Sequence, residues 1–381
     1  MKTSADCVII GGGVVGTALS YYLSRRGMRD VVVLERDFLA SGATGRCGGG
    51  IRQQWSTEPN TRLAIESVRL WRSLEEELDA DIEFLQGGYL VLAYTDEDVA
   101  QFEKNVALQR RLGLRVQTLS PREIAAEVTP YLNTEGVRMA TWCSDDASAN
   151  PFLTTKAYAD AARRMGVDIE LRTAVGAIAV EGGRVTGVRT DRGFISAPVV
   201  VNAAGSHSVP LAGGVGVELP ITPFRREILV TEPLERFLHP MIISFSFGIY
   251  FRQTKHGAVI GGFADPEEPE GFNETSSLDF LVEMSRKLRH LMPVLGPVKV
   301  VRQWAGLYDV TPDAQPILGV TDSVEGLYQA SGFSGHGFMI APKVADLLAQ
   351  AIVGETPDLD IERLNARRFE GGDVTLDQSV V

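Results

Sequence analysis

The sequence predicts an α/β protein: a Rossmann-like dinucleotide-binding domain with a second, mostly antiparallel (α+β) domain inserted in it. Three Gly-rich segments spread from end to end predict this. They are Val8-Ile9-Ile10-Gly11-Gly12-Gly13-Val14-Val15-Gly16, Val199-Val200-Val201-Asn202-Ala203-Ala204-Gly205 and Gly332-Phe333-Ser334-Gly335-His336-Gly337. The first alone implies a dinucleotide. All three, spaced across 381 residues, suit one long ligand, FAD.

The first segment carries the most physical detail. Cys7 to Ile10 is a short apolar run, as in a buried parallel strand. Gly11, Gly13 and Gly16 then fit G-x-G-x-x-G. Gly11 allows the tight turn, Gly13 lets the backbone approach pyrophosphate, and Gly16 lets the helix lie close to the strand. The helix expected from Val14 to Arg26 offers the amides of Val14 and Val15, and its positive dipole end, to phosphate. Gly27 stops it. Val31 to Leu34 reads as the next buried strand. Glu35 ends it, about 20 residues beyond the glycines, where a carboxylate accepts from ribose hydroxyls. Arg36 stands beside it.

Composition narrows the class. The chain has 37 basic and 49 acidic residues, a net charge of −12, which argues against nucleic acid or an anionic membrane as partner. Its three cysteines, Cys7, Cys47 and Cys143, form no C-x-x-C pair, so no metal site or disulfide framework is expected, in keeping with a reducing cytoplasm. The apolar N-terminal stretch is broken by glycines and reads as strand and turn rather than signal peptide. No run of about 20 apolar residues exists to span a membrane.

Further along, Ser41, Thr44, Arg46, Cys47, Gly48, Gly49, Gly50 and Ile51 belong to a Gly-rich stretch that implies backbone packed on a ligand. Residues 61–78 show helical spacing of Ile65, Val68, Trp71, Leu74 and Leu78. Tyr89 to Tyr94 reads as a strand. Asp96 is expected to cap a helix, and Ser120-Pro121-Arg122-Glu123 is a capping box. A helix from Pro151 to Gly166 leads to a strand, Asp168 to Leu171. Two hairpin turns follow, at Gly182-Gly183 and Asp191-Arg192-Gly193. One amphipathic helix is expected over Ser277 to Leu291 and a last helix over Pro342 to Val353. The pieces assign 1–80, 145–213 and 305–381 to the FAD-binding domain, and 81–144 and 214–304 to the substrate domain.

The three signals in this order resemble the D-amino-acid oxidase-like family of FAD-dependent amine oxidoreductases, whose FAD domain is of the glutathione-reductase type. Within it the chain most resembles the β subunits of heteromeric L-proline dehydrogenase and sarcosine oxidase. The likeness is clearest in Arg46 to Gln54, Ile243-Ser244-Phe245, Trp304-Ala305-Gly306, Thr311-Pro312-Asp313 and Gly332 to Met339. It implies hydride transfer from the carbon beside a substrate amine to flavin N5, giving an imine. It also implies FAD contacts at Val175, Ala203, Ala204, Gly205, Gly306, Gly332, Ser334, Gly335, His336, Gly337, Phe338 and Met339. Arg52 is the candidate anchor for a substrate carboxylate, with a structural arginine as the alternative. Tyr250 and Tyr308 match aromatic positions that line the substrate pocket, or are core. His336 either caps a structural turn or belongs to a Gly335–Gly337 amide group that stabilises reduced flavin.

Departures from the family carry expectations of their own. Gly306 stands where monomeric sarcosine oxidases have a flavin-bonding Cys, so FAD is expected to be held non-covalently. Met339 and the Ala258-Val259-Ile260 stretch replace lysines that serve the carboxylate and oxygen, although Lys255 and His256 lie close in sequence. Pro151 replaces the His that attaches FMN, which leaves only a non-covalent FMN between subunits. The expected protein is thus a cytoplasmic dehydrogenase of a small secondary amino acid, with an electron-accepting partner subunit. The alternative is a non-catalytic flavoprotein scaffold.

Overall fold

A computed structural model describes residues 2–371, 376, 377 and 379. A six-stranded sheet takes the spatial order Ile317–Val320, Leu327–Ser331, Val199–Asn202, Cys7–Ile10, Val31–Leu34 and Asp168–Glu170. All neighbours are parallel except the first pair. The central strand, Cys7–Ile10, is fully buried, which is why it reads as an uninterrupted apolar run. One face of the sheet is covered by the helices Val14–Arg25, Pro151–Arg164 and Gly337–Ile352, with Glu58–Leu78 packed on the last of these. The other face packs on the antiparallel meander of Val175–Glu181, Arg184–Thr190 and Gly193–Ser196, through Ile178, Val188 and Ile195.

An eight-stranded sheet forms the second layer. Its order is Val300–Val310, Thr222–Pro233, Ala258–Phe263, Ile249–Gln253, Met241–Ser244, Tyr89–Ala93, Met139–Cys143 and Val116–Leu119. Only Met241–Ser244 and Tyr89–Ala93 run parallel. Period-two alternation decides what each face does. Leu90, Leu92, Ile242, Ile249 and Phe251 join the core under the helix Leu278–Leu291, while Tyr89, Val91, Met241, Ile243 and Tyr250 face the other way. The Val300–Val310 strand runs across the expected boundary at 304/305 and pairs with Thr222–Pro233 along both halves.

Two local expectations are corrected. The helix Asp96–Arg111 is capped by Thr95, not Asp96: Thr95 Oγ1 accepts from Asp98 N at 3.0 Å and Asp98 accepts from Thr95 N at 3.1 Å, a reciprocal box. The last helix begins at Gly337, not Pro342, and holds Pro342 in its interior. Burial of Phe338, Ile340 and Ala341 against the sheet core outweighs the amide that Pro342 lacks.

Candidate active site

The carboxyl ends of the parallel strands open into a cavity of about 460 Å³. Among the expected cofactor residues, Gly11, Gly13, Val14, Val15, Glu35, Arg36, Ser41, Thr44 and Cys47 line it. So do Val175, Ala203, Ala204, Gly205, Gly335, Gly337 and Phe338, together with Tyr308. The first turn follows from its glycines. Gly11 has φ +119°, and a Cβ there would lie 2.4 Å from the Ala203 carbonyl oxygen. A Cβ on Gly16 would lie 2.0 Å from the Gly11 carbonyl oxygen, so only glycine lets helix and strand close up.

These residues fit an FAD. Two helices, Val14–Arg25 and Gly337–Ile352, start at the cavity wall. Neither has an acid in its first turn or a side-chain cap from its N-cap residue, Gly13 or His336. Val14 N donates to Thr44 Oγ1 at 3.2 Å, and the positive dipole ends of both helices favour negative charge. The Glu35 carboxylate is fixed at the end of its strand by Gly12 N at 2.8 Å, Asp37 N at 2.8 Å and Ser41 Oγ at 3.2 Å.

The other expected cofactor residues form the backing of that wall. Arg46 Nη1 donates to the Ala305 carbonyl at 2.9 Å and pairs with Glu274 at 3.0 Å, and its stem covers Gly306. The Gly48 carbonyl accepts from Arg252 Nε at 2.6 Å, and Gly49 backs onto the Ala149 carbonyl. Gly50 and Ile51 pair with Ser148 and Ala147. Gly332 N donates to Asp309 Oδ2 at 2.8 Å, and Ser334 Oγ accepts from Thr311 N at 3.1 Å. The Met339 carbonyl accepts from Ser67 Oγ and Trp71 Nε1.

At the Tyr308 end the candidates for substrate contact meet. Tyr250 lies against Gly48, and Tyr308 against Gly335. Desolvation pushes both phenols up, so they stay protonated. Arg52 is close enough to Tyr308 to act on its ionisation. The Arg52 guanidinium is 3 % exposed and stacks 4.2 Å from the Trp55 ring. Among the described residues it makes no ion pair, and its Nε and Nη1 have no hydrogen-bond partner. Burial lowers its pKa. His336 is the N-cap of the last helix, and its buried ring meets Trp55 edge-on at 4.2 Å. Burial, then the neighbouring Arg52, lowers its pKa to about 3, so the imidazole is neutral.

Several residues of the site carry no motif. Trp55 holds Arg52 through its ring and through Nε1, which donates to the Arg52 carbonyl. Asp146 is fully buried and accepts from Gln53 N, Gln53 Nε2 and Gln54 Nε2 at 2.9, 3.1 and 3.0 Å, fixing the backbone beside Arg52. Burial raises its pKa to about 6. Asp309, likewise raised by burial to about 6, lines the cavity, as do Thr173, His207 and Glu274. The Asp145-Asp146 doublet is the single hint the sequence offers, and it does not say which acid turns inward.

Residues 6–351 match the family DAO, FAD dependent oxidoreductase. The chain is 32% identical over 377 residues to the sarcosine oxidase subunit beta of Arthrobacter sp., covering 97% of this chain and 92% of that one. L-proline dehydrogenase from P. horikoshii superposes with a TM-score of 0.93 at 36% identity, covering 98% of this chain and 100% of that chain. Glycine oxidase from Geobacillus kaustophilus does so at 0.89 and 25%, covering 96% and 99%. No helix among the described residues is long and apolar enough to cross a membrane. With a cavity built for FAD beside an enclosed arginine, the chain belongs to the DAO family and is an FAD-dependent oxidoreductase of amino acids or amines.

Proposed function

We propose that the chain oxidises a small secondary amino acid of the L-proline or sarcosine type, with Arg52 gripping its carboxylate. The observation that carries this reading is the condition of Arg52. A buried guanidinium with no ion-pair partner among the described residues is costly, even with Asp377 and Asp146 acting on it electrostatically, unless an anion arrives to pair with it. The six-stranded sheet and its helices then serve FAD, and the eight-stranded sheet supplies the substrate side. Bound FAD supplies the hydride acceptor.

The chain's own residues orient and dry the substrate. Arg52 fixes the carboxylate, and Tyr250 and Tyr308 wall the amine-bearing carbon. His336 holds no proton near neutral pH, so its part is to start the last helix, whose first amides favour the charge of the reduced cofactor. A neutral substrate amine is favoured by the same desolvation that lowers the Arg52 pKa, which removes the need for a dedicated base. Cys47 lines the cavity with a thiol pushed up by burial to about 11, a poor nucleophile, and Gly306 has no side chain. Both support non-covalent FAD: acid precipitation should release the flavin into solution, and colour retained in the precipitate would contradict it.

A dehydrogenase with a partner subunit is favoured over an oxidase. Lys255 pairs with Asp81 and His256 with Glu83 on the surface, and no lysine lines the cavity among the described residues. A lysine to stabilise superoxide is therefore lacking from the lining among the described residues. The isolated chain should reduce an artificial dye several-fold faster than it forms peroxide; equal rates would make it an oxidase.

The decisive test is kinetic. An anaerobic panel of amino acids identifies which one bleaches the flavin. With that substrate, Arg52→Ala should lose about 2–5 kcal/mol of binding, a KM increase of roughly 30-fold or more, with FAD content unchanged. An unchanged KM removes Arg52 from the carboxylate.

A further inference from the structure

We infer that Arg252 is a positioning residue of the reaction: carried by the eight-stranded sheet, it ties the Gly48–Gly49 main chain to that sheet and gives the cofactor wall beside Cys47 a positive charge. The three glycines after Cys47 each receive a side chain from this sheet. A Cβ on Gly48 would lie 2.8 Å from Tyr250 Cε2, one on Gly49 would lie 3.0 Å from Arg252 Nη2, and one on Gly50 would lie 1.7 Å from the Tyr89 hydroxyl oxygen. The glycine run thus makes room for the second sheet as well as for a ligand. Alternation along the Ile249–Gln253 strand sends Tyr250 and Arg252 to this side and Phe251 into the core. Arg252 Nε donates to the Gly48 carbonyl at 2.6 Å, across 204 residues of sequence. The residue is 7% exposed.

Among the described residues Arg252 makes no ion pair. Glu83 acts on it electrostatically, but the Glu83 carboxylate is taken by Asn150 Nδ2 at 3.1 Å and by His256. The Gly48 carbonyl satisfies one donor and, being neutral, leaves the cation uncompensated. Burial lowers the Arg252 pKa, yet a guanidinium titrates too high to lose its proton near neutrality. Its field reaches the cavity. Burial pushes the thiol of Cys47 up, the Arg252 charge works against that, and Cys47 lines the wall. Reduced FAD carries more negative charge than oxidised FAD, so a fixed cation behind the wall favours reduction. Enclosure keeps water from screening it. Arg252 is not itself a lining residue; it acts through the main chain it holds. The inference does not depend on which amino acid is oxidised. It rests on the reading that the reacting end of the cofactor lies toward Tyr308.

The test measures the flavin reduction potential of the FAD-loaded enzyme against a dye of known potential. Arg252→Met should lower the preference for reduced over oxidised FAD roughly tenfold, about 30 mV for a two-electron couple. Arg252→Gln keeps a donor for the Gly48 carbonyl but no charge, and should fall as far. Arg252→Lys keeps the charge and should lose less than about threefold. In the neutral variants kcat should drop with the potential while the substrate KM stays within about twofold, the reverse of Arg52→Ala. A role in packing alone would lower the melting temperature of all three variants and leave their potentials at the parent value, which overturns the charge. Should the neutral variants lose FAD altogether, Arg252→Lys decides: FAD retained there is the expected result, and FAD lost there overturns the inference. Failure of the underlying reading looks different: Arg52→Ala would leave the substrate KM unchanged.

Discussion

At the Gly11 end of the cavity the fit comes from main chain close together in sequence: the turn at 11–13, the start of one helix and the Glu35 carboxylate 22 residues from Gly13. At the Arg52 end it comes from side chains of residues 52, 55, 250, 308 and 336, carried by strands, a turn and a helix from both sheets' surroundings. The first end is held by backbone contacts that tolerate no added atom. The second is held by stacking, desolvation and hydrogen bonds, each of which can be weakened alone. Damage to the first should therefore cost the cofactor or the fold, and damage to the second should cost substrate affinity or its pH profile.

The largest effect is expected from Gly11→Val. The new side chain would collide with the Ala203 carbonyl at a φ of +119°, so we expect more than about 4 kcal/mol of destabilisation and loss of bound flavin, read by soluble yield and the flavin spectrum. Gly27→Ala, also at positive φ (+90°) but with open space around it, should cost only about 1 kcal/mol. If the two cost the same, close approach is not what the first end depends on.

A pH experiment addresses the second end. The Asp146 pKa is raised to about 6 by burial, so the folded state binds a proton more readily than the unfolded chain. Its contribution to stability is greatest at low pH and is lost as pH rises through 6. Asp146→Asn removes that dependence. Relative to the parent, the variant should be most favoured near pH 7.5 and lose up to about 3 kcal/mol of that advantage by pH 4. Parallel melting-temperature profiles for the two proteins would show that Asp146 does not titrate this way.

Glu35→Ala should weaken FAD by about 1.5–3 kcal/mol, the range for a hydrogen bond to a charged group, and leave the substrate KM of the reloaded enzyme unchanged. Among the variants inside the site the smallest effect is expected from Trp55→Leu. Loss of the ring under Arg52 should cost about 1–2 kcal/mol in substrate affinity, read as a rise in KM with flavin content intact. Loss of flavin in this variant would merge the two ends into one unit.

Much of the first end was legible because its physics is local. The strand–Gly–helix–strand–acid order over residues 7–35 is dictated by hydrogen bonding and sterics within one βαβ unit, and the structure reproduces it to within a residue. The capping box at Ser120 appears where its spacing places it. Misreadings arose where two local rules competed. Thr95 and Asp96 both favour an N-cap, and the Asp98 carboxylate decides for Thr95. Pro342 looks like a first helical residue, yet apolar burial carries the helix back to Gly337.

By itself the sequence determined the fold class, the dinucleotide turn and the resemblance that led to FAD, since each follows from spacing within a few tens of residues. Only the tertiary structure decided that Arg52 is enclosed with no ion-pair partner among the described residues, that Trp55 and His336 flank it, that Asp146 rather than Asp145 turns inward, and that Ser379 reaches across to it. Lys255 and His256, near the expected flavin-side position in sequence, lie in the turn between the paired strands Ile249–Gln253 and Ala258–Phe263, where they pair with Asp81 and Glu83. Burial and long-range packing set charge and exposure, and neither is written in the spacing of neighbouring residues.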